Sequence, residues 1–212
     1  VIFTSDNGMN LGQHGIWGKG NGTFPQNMYD SSVKVPFIAM WKNHTVQNAV
    51  CRELFSHYDV LPTLCELTGT KCETKQVLPG RSFAPWLKNP ALEQNAPVVV
   101  FDEYGPVRMI RNHEIKLVLR YPYGPNELYD LVKDPEEERN LYGDSAYEDM
   151  VLSMTKEMDA WFEAYSDKMF DARCEAVTGT GQHARPGRYA SLMEGPRCKE
   201  PHWPCIGRRR ED

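Results

Sequence analysis

Four residues near the start of the chain carry side chains suited to charge-stabilised chemistry: Asp6, Asn7, His14 and Lys19. Asp6 and Asn7 follow the apolar run Val1-Ile2-Phe3-Thr4, which sets a carboxylate beside a carboxamide at the end of a core strand. That edge is where open α/β sheets bind ligands. Both groups are hard oxygen donors suited to Ca2+ or Mg2+, and a carboxamide where a histidine would favour a transition metal tilts the choice toward Ca2+. Asp6-Asn7-Gly8 also has the composition of a plain turn, and that reading stays open on these residues alone. Lys19 lies among Gly15, Gly18, Gly20 and Gly22, a setting that lets an ammonium and nearby backbone approach a tetrahedral oxyanion. The imidazole of His14, ionising near neutral pH, could donate to a leaving-group oxygen. An ordinary surface loop with a lysine and a histidine is the plainer alternative.

These side chains need elements to hold them. Residues 5–32, rich in Gly, Asn, Ser and Asp, read as a long loop with turns at Asn7-Gly8 and Gly20-Asn21-Gly22. Loops of more than about 15 residues inside compact domains are usually functional or disordered. Residues 35–41 read as a second strand, with Pro36 near its start where a missing N–H is tolerable. Val60, Leu61, Leu64 and Leu67 recur at helical spacing within residues 56–69, and Gly69 supplies a stop. A short helical piece is expected around residues 82–87. Strand-like runs then follow at 97–104, 107–111, 114–121 and 127–130, separated by turn residues, as in an antiparallel meander. The spacing of Met150, Val151, Met154, Met158, Trp161, Phe162 and Tyr165 predicts a helix over 145–165 with a core-facing stripe. From Gly179 onward the composition is that of an irregular tail.

Composition bounds the functions available. With 24 Lys+Arg against 29 Asp+Glu, the net charge of -5 offers no broad basic surface for nucleic acid. The run Arg208-Arg209-Arg210 beside Glu211 and Asp212 reads as a solvated terminus. No window approaches the roughly 18 consecutive apolar residues of a membrane span. Cys51, Cys65, Cys72, Cys174, Cys198 and Cys205 contain no C-x-x-C pair, which disfavours cysteine metal sites. They allow disulfides in a secreted protein and free thiols in a cytosolic one. Asn21-Gly22-Thr23 and Asn43-His44-Thr45 have the glycosylation pattern but decide nothing, so cytoplasmic and secreted or periplasmic locations both stay open.

A set of short strings runs in order along residues 1 to about 165: Thr4-Ser5-Asp6-Asn7-Gly8, Leu11-Gly12-Gln13-His14-Gly15-Ile16-Trp17-Gly18-Lys19-Gly20 and Tyr29-Asp30-Ser31-Ser32-Val33-Lys34-Val35-Pro36-Phe37-Ile38. Asp59-Val60-Leu61-Pro62-Thr63-Leu64, Arg108-Met109-Ile110-Arg111 and Glu127-Leu128-Tyr129-Asp130-Leu131 follow, with Asp134-Pro135-Glu136 and Asn140-Leu141. Taken in this order, the strings resemble the sulfatase family of the alkaline phosphatase superfamily. The resemblance implies that Asp6 and Asn7 are metal ligands for Ca2+ rather than Mg2+ or Mn2+. It implies that Lys19 contacts the sulfate group as a substrate-binding and catalytic residue, and it transfers the same two roles to His14 more weakly. A divalent cation and an ammonium on opposite sides of a sulfuryl group would stabilise charge on its oxygens as the S–O bond breaks.

The chain departs from the family pattern at the nucleophile. The family's formylglycine arises from the first residue of a Cys/Ser-x-Pro/Ala-x-Arg motif, and no cysteine or serine here begins one. The family's first metal-binding Asp pair is absent as well. Together with an opening in mid-strand at Val1, this yields the expectation of a C-terminal portion of a sulfatase, with formylglycine in the missing N-terminal part. Alone, such a portion should not turn over. It also predicts exposed apolar sheet edges at residues 1–4.

The expected fold class is α/β, a partial alkaline-phosphatase-like mixed sheet with helices, followed by a smaller α+β domain with an antiparallel sheet and a packing helix. Residues 1–95 would be the C-terminal part of the catalytic α/β domain, 96–170 the smaller domain and 171–212 the tail. The expected partner is a sulfated small molecule or carbohydrate, with no nucleic acid and no membrane span. The alternatives are a phosphoric or phosphonic ester hydrolase of the same superfamily, and a non-catalytic, degenerate cation-binding fragment. Lys34 and Arg81 are further candidates for local positive potential, with a solvated surface as their plainer reading.

Overall fold

The computed structural model describes residues 1–166, except 24, 75, 103–105 and 122–123, together with Arg173. The irregular tail from Gly179 onward, with Arg208–Arg210, and Cys174, Cys198 and Cys205 lie outside the described residues.

A four-stranded antiparallel meander anchors the fold: β5 (Val98–Asp102), β6 (Val107–Arg111), β7 (Ile115–Arg120) and β8 (Glu127–Asp130), in that spatial order. The strands match the four runs expected from the sequence. Each strand alternates its two faces. Ile110, Ile115, Leu117, Leu119 and Leu128 face α4 (Glu148–Tyr165) and close on Met154, Met158 and Phe162, with Val151 and Trp161 packed against them, whereas Met150 and Tyr165 of the expected stripe are exposed at its ends. Val107, Met109 and Val118 pack on Met28 and Val33, so the opposite face of the sheet carries the segment between the glycine-rich loop and α1 (Asp30–Val33).

The same alternation sends Lys116 and Arg120 to the Met28 side, where both are buried. A buried charge needs partners, and these have them. Lys116 Nζ donates to the Met28 carbonyl at 3.0 Å and to carboxylate oxygens of Asp30 and Glu137. Arg111 Nη1 meets both oxygens of Asp30 at 2.7 Å. Arg120 donates to the Gln26 carbonyl at 3.1 and 3.0 Å and pairs with Glu127 at 2.8 Å. Three basic side chains of the meander thus fasten residues 26–30 to the sheet.

β1 (Ile2–Thr4) pairs antiparallel with β4 (Phe37–Ala39), Phe3 opposite Ile38. Among the described residues every strand pair is antiparallel, so the expected mixed sheet is represented by this two-stranded ribbon. Val1, Phe3 and Ile38 are 85%, 59% and 63% exposed, so the apolar edges expected at residues 1–4 are present and uncovered.

Two other expectations change. The 5–32 stretch is not all loop: it contains a hairpin of β2 (Asn10–Leu11) and β3 (Trp17–Gly18), then α1. Asn7-Gly8 is no hairpin turn. Gly8 is glycine because a Cβ there would lie 2.2 Å from the Ser31 carbonyl oxygen, and its N–H donates to the Ser32 carbonyl at 2.9 Å.

The expected helix over 56–69 begins later, as α2 (Val60–Thr68), after a short tight turn over 57–59. Ser56 and Asp59 cap each other reciprocally there. Asp59 is fully buried and accepts from the backbone N–H of Ser56 at 2.7 Å and of Arg81 at 2.8 Å. Thr63 Oγ1 donates to the Asp59 carbonyl and accepts from the Phe83 N–H at 2.9 Å, tying α2 to α3 (Ala84–Lys88). The Asp59 and Thr63 of the sequence string therefore hold loops together.

Candidate functional site

The end of β1 runs directly into Ser5, Asp6 and Asn7, and hydrogen bonds fix their course. Ser5 Oγ donates to the Asn7 carbonyl at 2.8 Å, and Asp6 Oδ1 accepts from the Asn7 N–H at 2.9 Å. The Ser5 carbonyl lies 2.9 Å from His57 Nε2, so the turn before α2 supports this corner from outside. The Asn7 Nδ2 group donates to the Gly8 carbonyl at 2.8 Å, which leaves Oδ1 as the outward atom. Lys19 Nζ donates to that Oδ1 at 3.0 Å. Asn7 and Lys19 together line a shallow pocket of about 230 Å³ with Gln26, Asn27, Phe101 and Asp102.

A chain of buried polar groups sets the position of Lys19. Asn10 Nδ2 donates to Ser32 Oγ at 2.6 Å and to the Gly18 carbonyl at 3.1 Å, Ser32 Oγ donates to Asn27 Oδ1, and Asn27 Nδ2 reaches Thr23 Oγ1 at 3.1 Å and the Gly20 carbonyl at 3.3 Å. Asn10, Asn27 and Ser32 are each buried, and their amides and hydroxyl are consumed by these bonds rather than presented to solvent. Gly18, with φ of 136°, and Gly20, whose N–Cα–C unit leaves a Cβ only 3.1 Å from the Asn27 carbonyl oxygen, let the strand and loop close around Lys19.

The structure therefore brings Asp6, Asn7 and Lys19 into one corner. It places His14 elsewhere, on a left-handed residue (φ 52°) with its ring stacked on Tyr29 at 3.7 Å and 8°. Lys34 is 72% exposed and 4.0 Å from Asp30, and Arg81 is exposed with its backbone on Asp59. Sequence reasoning missed the buried asparagines and His57. Asn10 and Asn27 lie in a stretch with no periodic signal, although the partners of Asn27 are only four to eight positions away, and the Ser5 partner of His57 is 52 positions away.

The ion cluster beneath the site is electrostatically settled. Burial works to raise the carboxyl of Asp30, but Lys116 and Arg111 outweigh it and hold the group below its ordinary value. Burial pushes Glu137 up, with Lys116 opposing. Burial also raises the Tyr29 phenol, beside Tyr129.

A hard cation fits the chemistry of Asp6 and Asn7, since a carboxylate is adjacent to an amide oxygen that already faces a positive group. Two donors fall short of the six to eight oxygens Ca2+ takes. Among the described residues no group of three or more His, Cys, Asp or Glu side chains could hold a metal ion.

Comparison with known proteins identifies the family. Residues 12–164 match the family described as N-sulphoglucosamine sulphohydrolase, C-terminal. The chain is 29% identical over 209 residues to a Delta 4,5-hexuronate-2-O-sulfatase of Bacteroides thetaiotaomicron, covering 94% of this chain and 41% of that protein. It is 33% identical over 180 residues to the sulfatase YidJ of Escherichia coli K12, covering 81% of this chain and 33% of that protein. Among solved structures, a 2-O GAG sulfatase superposes with a TM-score of 0.68 at 25% identity, over 93% of this chain and 42% of that one. A phosphonate monoester hydrolase of Agrobacterium radiobacter superposes with a TM-score of 0.60 at 25% identity, over 76% of this chain and 34% of that one. The chain thus spans between a third and about two-fifths of the length of these two curated relatives. Among the described residues no helix is long and apolar enough to cross a membrane.

Proposed function

The chain belongs to the sulfatase family, and on that premise we propose that it forms one wall of an active site hydrolysing sulfate esters of carbohydrates. The observation that carries this reading is the 3.0 Å contact of Lys19 Nζ with Asn7 Oδ1, beside Asp6 and on the rim of a pocket. Asp6 and Asn7 would hold a Ca2+ ion through one carboxylate and one carboxamide oxygen, and Lys19 would swing its ammonium onto a sulfate oxygen. Bound there, the cation would supply positive charge to the sulfuryl oxygens as the S–O bond breaks.

The roles of this chain's own residues follow from their placement. Lys19 is exposed on a loop held by Asn10, Asn27 and Ser32, so its ammonium is presented without the loop having to order on binding. Gly8 lets the corner sit against α1. His14, stacked on Tyr29 and not among the residues lining the pocket, enters the proposal only as a weaker candidate proton donor. The nucleophile, formylglycine in this proposal, and the remaining ligands come from polypeptide N-terminal to Asp6.

The preference for carbohydrate esters rests on the relatives, one of which is named for a hexuronate 2-O-sulfate. A second reading, phosphonic or phosphoric ester hydrolysis, is favoured by the superposition on a phosphonate monoester hydrolase. The test joins these residues to the N-terminal part of a sulfatase and offers a sulfated monosaccharide, para-nitrophenyl sulfate and para-nitrophenyl phenylphosphonate in parallel. Sulfate release is the expected outcome. Phosphonate cleavage alone would favour the second reading, and a folded protein that cleaves neither while binding Ca2+ weakly would favour the non-catalytic one.

A further inference from the structure

Strand β5 ends at the pocket that holds Asn7 and Lys19, and the register of the meander decides which of its side chains face that way. Val100 packs against the Met28 cluster, on the side of the sheet turned to residues 26–33. Its neighbour Phe101 points to the opposite side, its ring centroid 5.3 Å from that of Phe162 and 6.0 Å from that of Trp161 on α4. Alternation returns Asp102 to the face of Val100. The pairing agrees, because Asp102 lies opposite Val107, which is fully buried in the same Met28 cluster. Asp102 is half-buried and lines the pocket with Asn7, Lys19 and Asn21. Among the described residues it is the only carboxylate on the wall of that pocket, and Lys19 is the only ammonium.

We propose that Asp102 is a specificity-determining residue that reads the sugar beside the sulfate, accepting hydrogen bonds from ring hydroxyls and turning away a second anion. The proposal rests on the sulfatase reading of the site and adds the class of sugar it takes. An ionised carboxylate accepts hydrogen bonds and donates none. A hydroxyl gives it a charge-assisted bond, stronger than one between neutral groups. A uronate carboxylate or a second sulfate offers it no proton and adds like-charge repulsion, which a half-buried wall screens less than open water does. The favoured substrate therefore carries one sulfate on a neutral, hydroxyl-bearing sugar.

The division of labour follows the fold. The sulfate is met by Lys19 on the glycine-rich loop, whereas the sugar is read by the end of β5, so the selectivity is set by a different element from the one that holds the reacting group.

The experiment uses these residues joined to the N-terminal part of a sulfatase, as parent and as Asp102→Asn, which keeps the shape of the side chain and removes its charge. Each is offered para-nitrophenyl sulfate, monosulfates of glucose and galactose, and the matching glucuronate and galacturonate sulfates, which differ from them only by a carboxylate. In Asp102→Asn, kcat/KM on the neutral sugar sulfates is expected to fall about 10-fold or more, with the ratio of uronate to neutral turnover rising by a similar factor. Para-nitrophenyl sulfate has no hydroxyl to offer, and its turnover should stay within about threefold, which also shows that the variant is folded. An equal loss on every substrate would overturn the proposal, since it would put the effect of Asp102 on the sulfate rather than the sugar. An unmoved uronate-to-neutral ratio would overturn it too, as would a parent that cleaves only uronates or only the aryl sulfate. Aryl sulfate turnover with an unmoved ratio refutes this proposal alone, whereas a parent that cleaves none of the substrates refutes the sulfatase reading and this proposal with it.

Discussion

Lys116→Met is the substitution that most sharply probes how the site is fastened to the sheet. The methionine keeps the length of the side chain and removes its ammonium. Lys116 is fully buried, and its Nζ is shared by the Met28 carbonyl, Asp30 and Glu137. After substitution Asp30 keeps the Arg111 guanidinium at 2.7 Å and the Glu137 carboxylate keeps the Asp30 N–H at 2.6 Å, but Glu137 Oε1 loses its charged partner where its side chain is only 2% exposed. Removing one member of a buried pair costs about 3–5 kcal/mol. The unsatisfied Met28 carbonyl overlaps that penalty and is not added to it. For a chain of this length the loss corresponds to a fall of roughly 6–20 °C in melting temperature.

The pH dependence has a definite sign. Glu137 already sits above its ordinary value of 4.5 because of burial, and losing Lys116 removes the cation opposing that shift. A carboxyl raised in the folded state makes stability fall as pH rises from its unfolded value through its folded one. The variant should therefore be penalised more at about pH 8 than at about pH 5, and adding Glu137→Gln should recover part of the loss at the higher pH. Urea unfolding followed by tryptophan fluorescence measures the first two quantities, and a double-mutant cycle the third. A loss below about 1 kcal/mol, or a loss with no pH dependence and no recovery from Glu137→Gln, would refute the reasoning.

Three further outcomes follow from the same contacts. Gly8→Ala should cost about 3 kcal/mol or more, because its Cβ would meet backbone oxygen at 2.2 Å, whereas Gly15→Ala, with open space but φ of 70°, should cost about 1–2 kcal/mol, and the order of the two in thermal unfolding is the check. Asp30 is held below its ordinary 3.8, so its stabilising contribution is complete above that pH and is lost as pH falls through its folded value; Asp30→Asn should destabilise at neutral pH and lose its effect progressively as pH falls below 3.8, by chemical denaturation at each pH. Phe162→Ala should cost about 3–5 kcal/mol, since its buried ring packs on the core and lies 3.6 Å beneath the Arg108 guanidinium, and loss of helical signal at lower urea is the readout.

Much of this architecture was legible because it rests on local periodicity. The four meander runs and the α4 stripe are set by alternation and helical spacing that any core would select, so β5–β8 and α4 appear within a few residues of their expected positions. Asp6, Asn7 and Lys19 stood out within an ordered set of strings, and the structure adds the 3.0 Å contact between Lys19 and Asn7. What could not be read were interactions closed across sequence distance. Lys116 looked like an ordinary charge in a strand, but its ammonium donates a hydrogen bond to the Met28 carbonyl, 88 positions away. The β2–β3 hairpin was hidden because two-residue strands carry no periodic signal. Gly8 read as a turn residue because its true constraint, the Ser31 carbonyl, belongs to another element.

The measurement that bears most directly on the central claim is kcat/KM for sulfate release from a sulfated monosaccharide by these residues joined to a sulfatase N-terminal part, with Lys19→Ala and Asn7→Ala beside Lys156→Ala as an exposed control on α4. The account predicts that each of the first two variants loses about 100-fold or more while melting within a few degrees of the parent, and that the control keeps its activity. Parent-level turnover in both Lys19→Ala and Asn7→Ala would contradict it.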